Sequence, residues 1–329
     1  MKLAWSCLLL LFLAPTWSGP ARRDQLGAVA RMAATPLPIR AGSGDRRVGA
    51  LRYVRGYRLT SPDPAFGGFS SMMIVDGRFT LLSDGGDLVS FSLDAAGHVG
   101  APRFAGLPAG PGTGWLKEDR DSESLTRDAA TGRLWVGFEQ WNAIWRYAPG
   151  FARAERAARP RAMRRWPSNG GPEAMLRLGD GRFMVLSEQQ PGAQGRGRAG
   201  LIFPGDPTLP GARPLRFTYL PPADYEPTDA VQWPDGRILI LNRRFALPDG
   251  FTAVLTVIDP RALQPGARVE GRVVARFAGD VLHDNFEALA VEPRSGRAPL
   301  LWIASDDNQN AIQQSLLLAF EWNGDTERR

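Results

Sequence analysis

From residue 69 onward, one pattern of apolar and polar positions returns five times. Each unit runs from a small or acidic residue through an apolar run, a Gly-Arg turn and a second, strongly apolar run to a polar residue. The five are "FSSMMIVDGRFTLLSD" (69–84), "SESLTRDAATGRLWVGFE" (122–139), "PEAMLRLGDGRFMVLSE" (172–188), "TDAVQWPDGRILILNRR" (228–244) and "FEALAVEPRSGRAPLLWIASDD" (286–307). The Gly-Arg pairs begin at 77, 132, 181, 236 and 296, so they lie 55, 49, 55 and 60 residues apart. An Asp-Gly or similar turn between two apolar runs is a hairpin signal. Two weaker strand signals usually follow, such as "LVSFSLD" with "PRFAGL", or "TAVLTVIDP" with "RVVARFAG".

Four strands per unit of about 50 residues, repeated around an axis, predict an all-β propeller. The count is five four-stranded blades, with six as the alternative if one long unit hides a degenerate blade. A two-sheet sandwich would not require the repeat. The last unit ends after its third strand, "SLLLAFEW", and the spare strand "GALRYVRGYRLT" (49–60) is expected to supply the fourth and close the ring. Sharing one blade between the two ends of the chain removes an exposed sheet edge. The expected divisions are a signal peptide at 1–21, a flexible lead-in rich in Arg, Pro and Gly at 22–47, the propeller at 48–323 and a short tail at 324–329.

Propeller geometry gathers the polar ends of these runs. The first strand of each unit should line the central channel, and at its start stand Ser70, Glu123, Glu173, Asp229 and Glu287. The second strands end at Asp84, Glu139, Glu188, Arg243 and Asp306, and antiparallel pairing brings both sets to one mouth of the channel. Eight carboxylates crowded together repel one another unless protons, arginines or cations compensate them. With no thiolate ligands and scarce histidine, the oxygen-rich set favours a hard cation, Ca2+ before Mg2+. Glu123, Glu139, Glu173, Glu188, Asp229 and Asp307 are the expected ligands. Glu287, Asp306, His283 and Asp284 are the expected catalytic groups, and Arg243 with Arg244 the expected phosphate clamp. The plainer reading of any one of these acids is a strand cap or an arginine partner. A serine-type triad of Ser70, His283 and Asp284 is a further arrangement, since the first and last units of a ring are neighbours. No Gly-x-Ser-x-Gly elbow supports it.

Composition changes the picture in two places. The start, "MKLAWSCLLLLFLAPTWSGPA", has one lysine before an apolar run too short for a comfortable membrane span, the signature of a secretory signal. Cys7 is the only cysteine and lies inside that run, so the mature chain has no thiolate chemistry and no disulfide. Periplasmic or secreted localisation and no integral membrane span after cleavage are expected, as is a monomer. The formal charge is +6, and Lys2 and Lys117 are the only lysines. The arginines are scattered apart from "RAERAARPRAMRR" (153–165), and with no recognisable module the reading is no nucleic-acid partner.

Taken together, "GGFSSMM", "DSESL", "NGGPEAM", "YEPTDAV" and above all "DNFEALAV" with "SDDN" resemble the family called esterase-like activity of phytase. The resemblance runs from about Val48 to Trp322. It implies an exported β-propeller that hydrolyses phosphate or carboxyl esters of small molecules, and it carries no assigned nucleophile. Two alternatives stand beside it. One is a non-catalytic propeller that binds a ligand or partner, with Trp115 and Trp141 in exposed loops. The other is a lactonase-type calcium propeller, to which Asn142, Asn169, Asn285 and Asn308 would lend themselves.

Overall fold

The computed structural model describes residues 22–42, 44–94, 96–310 and 312–324. The expected signal peptide and all but Gly324 of the expected tail lie outside them. Strands β1 (Ala33–Pro36), β2 (Arg47–Val48) and β3 (Leu51–Thr60) come first. The first blade is β4 (Phe69–Val75), β5 (Arg78–Ser83), β6 (Asp87–Leu93) and β7 (Val99–Gly106). The second is β8 (Ser122–Arg127), β9 (Leu134–Phe138), β10 (Ala143–Tyr147) and β11 (Ala154–Ala158). The third is β12 (Pro172–Arg177), β13 (Phe183–Pro191), β14 (Arg198–Phe203) and β15 (Leu215–Leu220). The fourth begins with β16 (Glu226–Gln232), β17 (Ile238–Ala246) and β18 (Gly250–Ile258). Before it ends, the short β19 (Arg268–Glu270) crosses over to pair in parallel with β15, and β20 (Arg272–Phe277) then completes the blade. The fifth is β21 (Phe286–Glu292), β22 (Leu300–Ser305) and β23 (Leu316–Trp322), with β3 paired along β23 from Leu316↔Arg58 to Trp322↔Leu51. Among the described residues, no helix is long and apolar enough to cross a membrane.

The innermost strands touch in cyclic order, β4 to β8 to β12 to β16 to β21 and back to β4, which makes a five-bladed propeller. Each second strand is buried on both faces, because its side chains alternate between two blade interfaces. The apolar core is accordingly divided into five clusters, one at each interface. Between the fifth and first blades, Trp302 meets Phe79 edge-on at 4.9 Å, and Arg55 stacks over its ring at 5.3 Å. Trp135, Trp233 and Trp302 are buried as the strand pattern implies, and Trp145 is partly so.

The segment 22–47, expected as a lead-in, carries β1 and packs against the fifth blade. β1 lies on the outer edge of β3, with Ala33↔Thr60 to Pro36↔Tyr57 in register. Arg23 reaches across to Asp87 at 2.7 Å, and Ile39 is buried in the cluster of the fourth and fifth blades. Leu37 packs against the same cluster, and Leu26, Met32 and Ala34 pack against that of the fifth and first blades.

Candidate functional site

All five innermost strands carry a β-bulge at the same place, near their first residue. A bulge leaves one residue unpaired and re-aims its side chain. The five bulged residues are Ser70, Glu123, Glu173, Thr228 and Glu287. The fourth departs from the sequence reading, which put Asp229 in this ring. Its pairing, Pro227↔Asn242 then Asp229↔Leu241, makes Thr228 the extra residue. A shift of one residue flips a side chain to the other face of a strand.

Asp229 therefore has a different task. It is buried, and its two oxygens accept the N–H groups of Ala230 (2.8 Å) and of Leu289 on the next blade (2.7 Å). Ser71, the equivalent residue in the first blade, accepts the Leu125 N–H of the second in the same way, at 3.1 Å. Asp229 stitches the fourth blade to the fifth and lies outside the ring of bulged residues. Asp229→Ala is expected to cost about 1–3 kcal/mol in urea unfolding and to leave cation binding unchanged.

The second strands reach the mouth in the predicted register. The N–H groups of Asp84, Glu139, Glu188 and Asp306 donate to the carbonyls of Gly68 (2.8 Å), Asp121 (2.8 Å), Gly171 (3.3 Å) and Asn285 (2.9 Å). Each accepting residue precedes the bulged one by two positions. On extended backbone that spacing returns a side chain to the same face, which brings Asp121 into the mouth beside Glu123. Asp121 was missed in the sequence because it precedes the repeated unit.

Around the axis, these groups form a chain of charges broken by two cations. Carboxylate oxygens of Asp121, Glu123 and Glu139 lie within 4.8 Å of one another, and so do those of Glu139, Glu173 and Glu188. Glu139 belongs to both groups. Arg243 then bridges Glu188, at 2.6 Å, to Glu287, and also donates to Asn285 Oδ1 at 2.8 Å. On the far side Lys117 pairs with Asp84. Eight carboxylates thus face two cations, and the side of the second and third blades is the least compensated.

The acids respond as burial and mutual repulsion require. Burial and then Glu139 push Asp121 up to about 8, against the pull of Lys117. Glu123 and Glu173 are held well above the ordinary carboxyl range by burial first and neighbouring carboxylates second. Asp306 is raised well above it by burial, then by Glu287 and Asp84. Glu287 is raised by burial even though Arg243 works in the opposite direction. Mutual repulsion among these acids is relieved by a proton or by a cation.

Two buried oxygens near this ring have no hydrogen-bond donor: Asp84 Oδ1 and Asn142 Oδ1. The Asn142 amide donates to the carbonyls of Trp166 (2.9 Å) and Pro167 (3.1 Å), and its N–H reaches Glu139 O at 2.9 Å. Its free oxygen stands beside Gly171, where a side chain would meet it at 2.7 Å. Oxygen donors only, several of them anionic and one unpaired, fit a hard cation.

The remaining predicted residues lie elsewhere or are already engaged. Asp284 accepts the N–H groups of Asn285 (2.8 Å) and Gln314 (3.1 Å). Asp307 accepts from Gly68 N (2.9 Å), Gln309 N (3.0 Å) and Ser315 Oγ (2.6 Å). Both hold the 306–315 loop in place through these bonds. His283 Nδ1 bonds the Val281 carbonyl at 2.5 Å, and Ser70 donates its only hydroxyl proton to Ser122 O at 2.6 Å, so the triad does not assemble. Arg244 leaves the mouth, as strand alternation demands, to stack on Tyr225 at 5.4 Å and approach Asp249 at 3.4 Å. The two-arginine clamp is therefore not formed. Around the mouth, exposed apolar side chains project from its loops: Trp115, Phe245, Leu247 and Ile312.

The family called phytase-like, esterase-like activity of phytase, matches residues 64–309, from just before the first blade to the loop after β22. The chain belongs to this phytase-like family. No curated protein matches the sequence. Among solved structures, hydrazine synthase of Kuenenia stuttgartiensis is 11% identical with a TM-score of 0.39, over 75% of this chain and 58% of that one. The Cps50 (Swd1) β-propeller domain of Myceliophteria thermophila is 13% identical with a TM-score of 0.38, over 77% and 65%. A protein of unknown function from Dyadobacter fermentans is 10% identical with a TM-score of 0.46, over 83% and 100%. The first two are spanned for less than two thirds of their length, and none of the three bears on the chemistry of the phytase-like mouth.

Proposed function

We propose that this phytase-like propeller hydrolyses esters, phosphate esters before carboxyl esters, at its acidic mouth with a bound hard cation, calcium first. The observation that carries the reading is the pair of three-carboxylate groups joined through Glu139 on the least compensated side of the ring. Asp121, Glu123, Glu139, Glu173 and Glu188 would hold the cation. When bound, it supplies Lewis-acid polarisation of the ester and offsets charge on a phosphoryl group. Asp306, buried and with its carboxyl raised well above the usual range by burial, then by Glu287 and Asp84, would give a proton to the leaving oxygen. Glu287, beside it and paired with Arg243, is the group to take a proton from attacking water. Arg243 keeps Glu287 and Glu188 oriented and is not a free phosphate clamp.

The exposed apolar rim favours a second reading, a partner-binding propeller without catalysis. Turnover of p-nitrophenyl phosphate and p-nitrophenyl acetate, with calcium and then with chelator, separates the two. Chelator-sensitive turnover lost in Glu139→Gln is expected. No turnover with either ester in calcium would leave the binding role.

The proposal extends to place and assembly: a periplasmic or secreted monomer. The pairing of β3 with β23 would then be what closes the ring, as a clasp between the two ends of the chain.

A further inference from the structure

The chemistry of the mouth leaves the arginine run of 153–165 and Trp141 without a role. β11 ends on the mouth side of the second blade, because Ala158 pairs with Ile144, and Ala143 with Phe138 at the end of β9. The connection from β11 to β12 therefore starts at the mouth face, with Arg159, Arg161, Arg164 and Arg165 along it. Buried Met163 and Trp166 pin this connection into the cluster between the second and third blades, and the Asn142 amide donates to the carbonyls of Trp166 and Pro167. With those two side chains turned inward, the four arginines are exposed. Glu155, the one acid in the run, is already held by Arg133 (2.9 Å) and Arg146 (3.0 Å). Among the described residues, none of the four arginines has a carboxylate partner.

Against the start of this connection lies a pocket of about 400 Å3, lined by Trp141, Trp145, Ala143, Ala157 and Arg159, with residues 110–112 opposite. That volume is in the range of small-ligand sites. Trp145 and Ala157 are register partners on one face of the β10–β11 pair, and Ala143 joins them two residues along. Alanines at these positions, with Gly110 and Gly112 opposite, leave the space open. The opposite wall is fixed: Arg120 donates to the Pro111 carbonyl, and Asp119 Oδ2 accepts from Thr113 N (3.1 Å) and Gly114 N (2.9 Å). Trp141 is fixed as well, since its Nε1 donates to the Glu118 carbonyl at 3.2 Å. Arg159 stands over the Trp141 ring at 5.8 Å. The pocket thus offers aromatic surface to a ring and a guanidinium to an oxyanion.

We propose that this pocket is a second ligand site, separate from the acidic ring, for a planar aromatic ring that carries a carboxylate, sulfonate or phosphate group. The ring packs on Trp141 and Trp145, and its anionic group pairs with Arg159. Arginine suits both parts of such a ligand, because its plane stacks on rings and its fork bonds two oxygens. Arg161, Arg164 and Arg165 add positive potential on the same connection and draw the anion in. A neutral ring would leave Arg159 without a counter-charge, and a bare oxyanion would leave the apolar pocket unfilled. The inference does not depend on cation binding or catalysis at the mouth.

The test is calorimetric titration of the full protein with naphthalene-2-sulfonate, in chelator so that no cation at the mouth takes part. Naphthalene-2-methanol and methanesulfonate present the ring and the anion separately. Ala157→Leu fills the pocket and Arg159→Gln removes its charge; both residues are exposed, and each variant is checked for a cooperative melt. Wild type is expected to take up one naphthalene-2-sulfonate per chain, with each partial probe binding roughly tenfold more weakly. Arg159→Gln should weaken the sulfonate about tenfold and leave naphthalene-2-methanol unchanged. Ala157→Leu should weaken both ring-bearing probes. No saturable uptake by wild type overturns the site. Sulfonate uptake untouched by Ala157→Leu also overturns it, since the arginines then act only as surface charge. Equal affinity of wild type for the sulfonate and the neutral alcohol overturns the part given to Arg159.

Discussion

Arg243→Met is expected to destabilise the protein by about 3–5 kcal/mol at neutral pH, the range for removing one partner of a buried ion pair. Arg243 lies among Glu188, Glu287 and Asn285 at the junction of the third, fourth and fifth blades. Its loss leaves two carboxylates facing each other in a buried site with no counter-charge. Arg243→Lys keeps the charge but not the fork that serves three acceptors, and should cost less, roughly 1–2 kcal/mol. The penalty also has a pH signature. Glu287 already titrates above its ordinary range because burial outweighs Arg243, and without the arginine it must rise further. A carboxyl whose folded pKa is raised contributes stability below its unfolded pKa and loses it as pH rises through the folded one. The Arg243→Met penalty should therefore be largest near pH 8 and smallest near pH 4, measured by urea unfolding across that range.

In chelator, the wild-type protein should become less stable as pH rises from about 4 to about 8. Asp121 titrates at about 8, and Glu123, Glu173 and Asp306 are all raised by burial and mutual repulsion. All four bind protons in the folded state at pH values where the unfolded chain has released them, so stability falls with pH over that window. The combined loss should be a few kcal/mol, seen as a melting temperature roughly 5–10 °C lower at pH 8 than at pH 5. Calcium should reverse most of it at pH 8 and little at pH 5, because cation and proton compete for the same oxygens. Saturation at a hundred times Kd would restore about 2.7 kcal/mol. A melting temperature that rises with pH in chelator, or that ignores calcium at pH 8, would contradict the account of these acids.

The architecture was legible because its signal is repeated five times. Apolar runs flanking Gly-Arg turns fix the second strands: β5, β9 and β22 stop one residue before Asp84, Glu139 and Asp306, while β13 and β17 run past Glu188 and Arg243 to Pro191 and Ala246. The innermost strands were harder. Asp229 precedes Ala-Val much as Glu173 precedes Ala-Met, so the sequence aligns them, yet hydrogen bonding shifts the fourth bulge to Thr228. No composition rule locates a bulge to one residue, and one residue decides which face a side chain takes. Adjacent arginines were likewise read as a clamp, although neighbours on a strand must point apart. Lys117 and Asp121 stand in the irregular connection between β7 and β8, where position does not follow periodicity.

The most direct test is a crystal soaked in calcium and measured for anomalous scattering at the channel mouth. The account predicts a peak within about 2.3–2.6 Å of carboxylate oxygens from Glu139 and at least one of Glu173 and Glu188. A well-ordered mouth without a peak, with Glu139 still accepting the Gly170 and Gly171 N–H groups and nothing else, would contradict it.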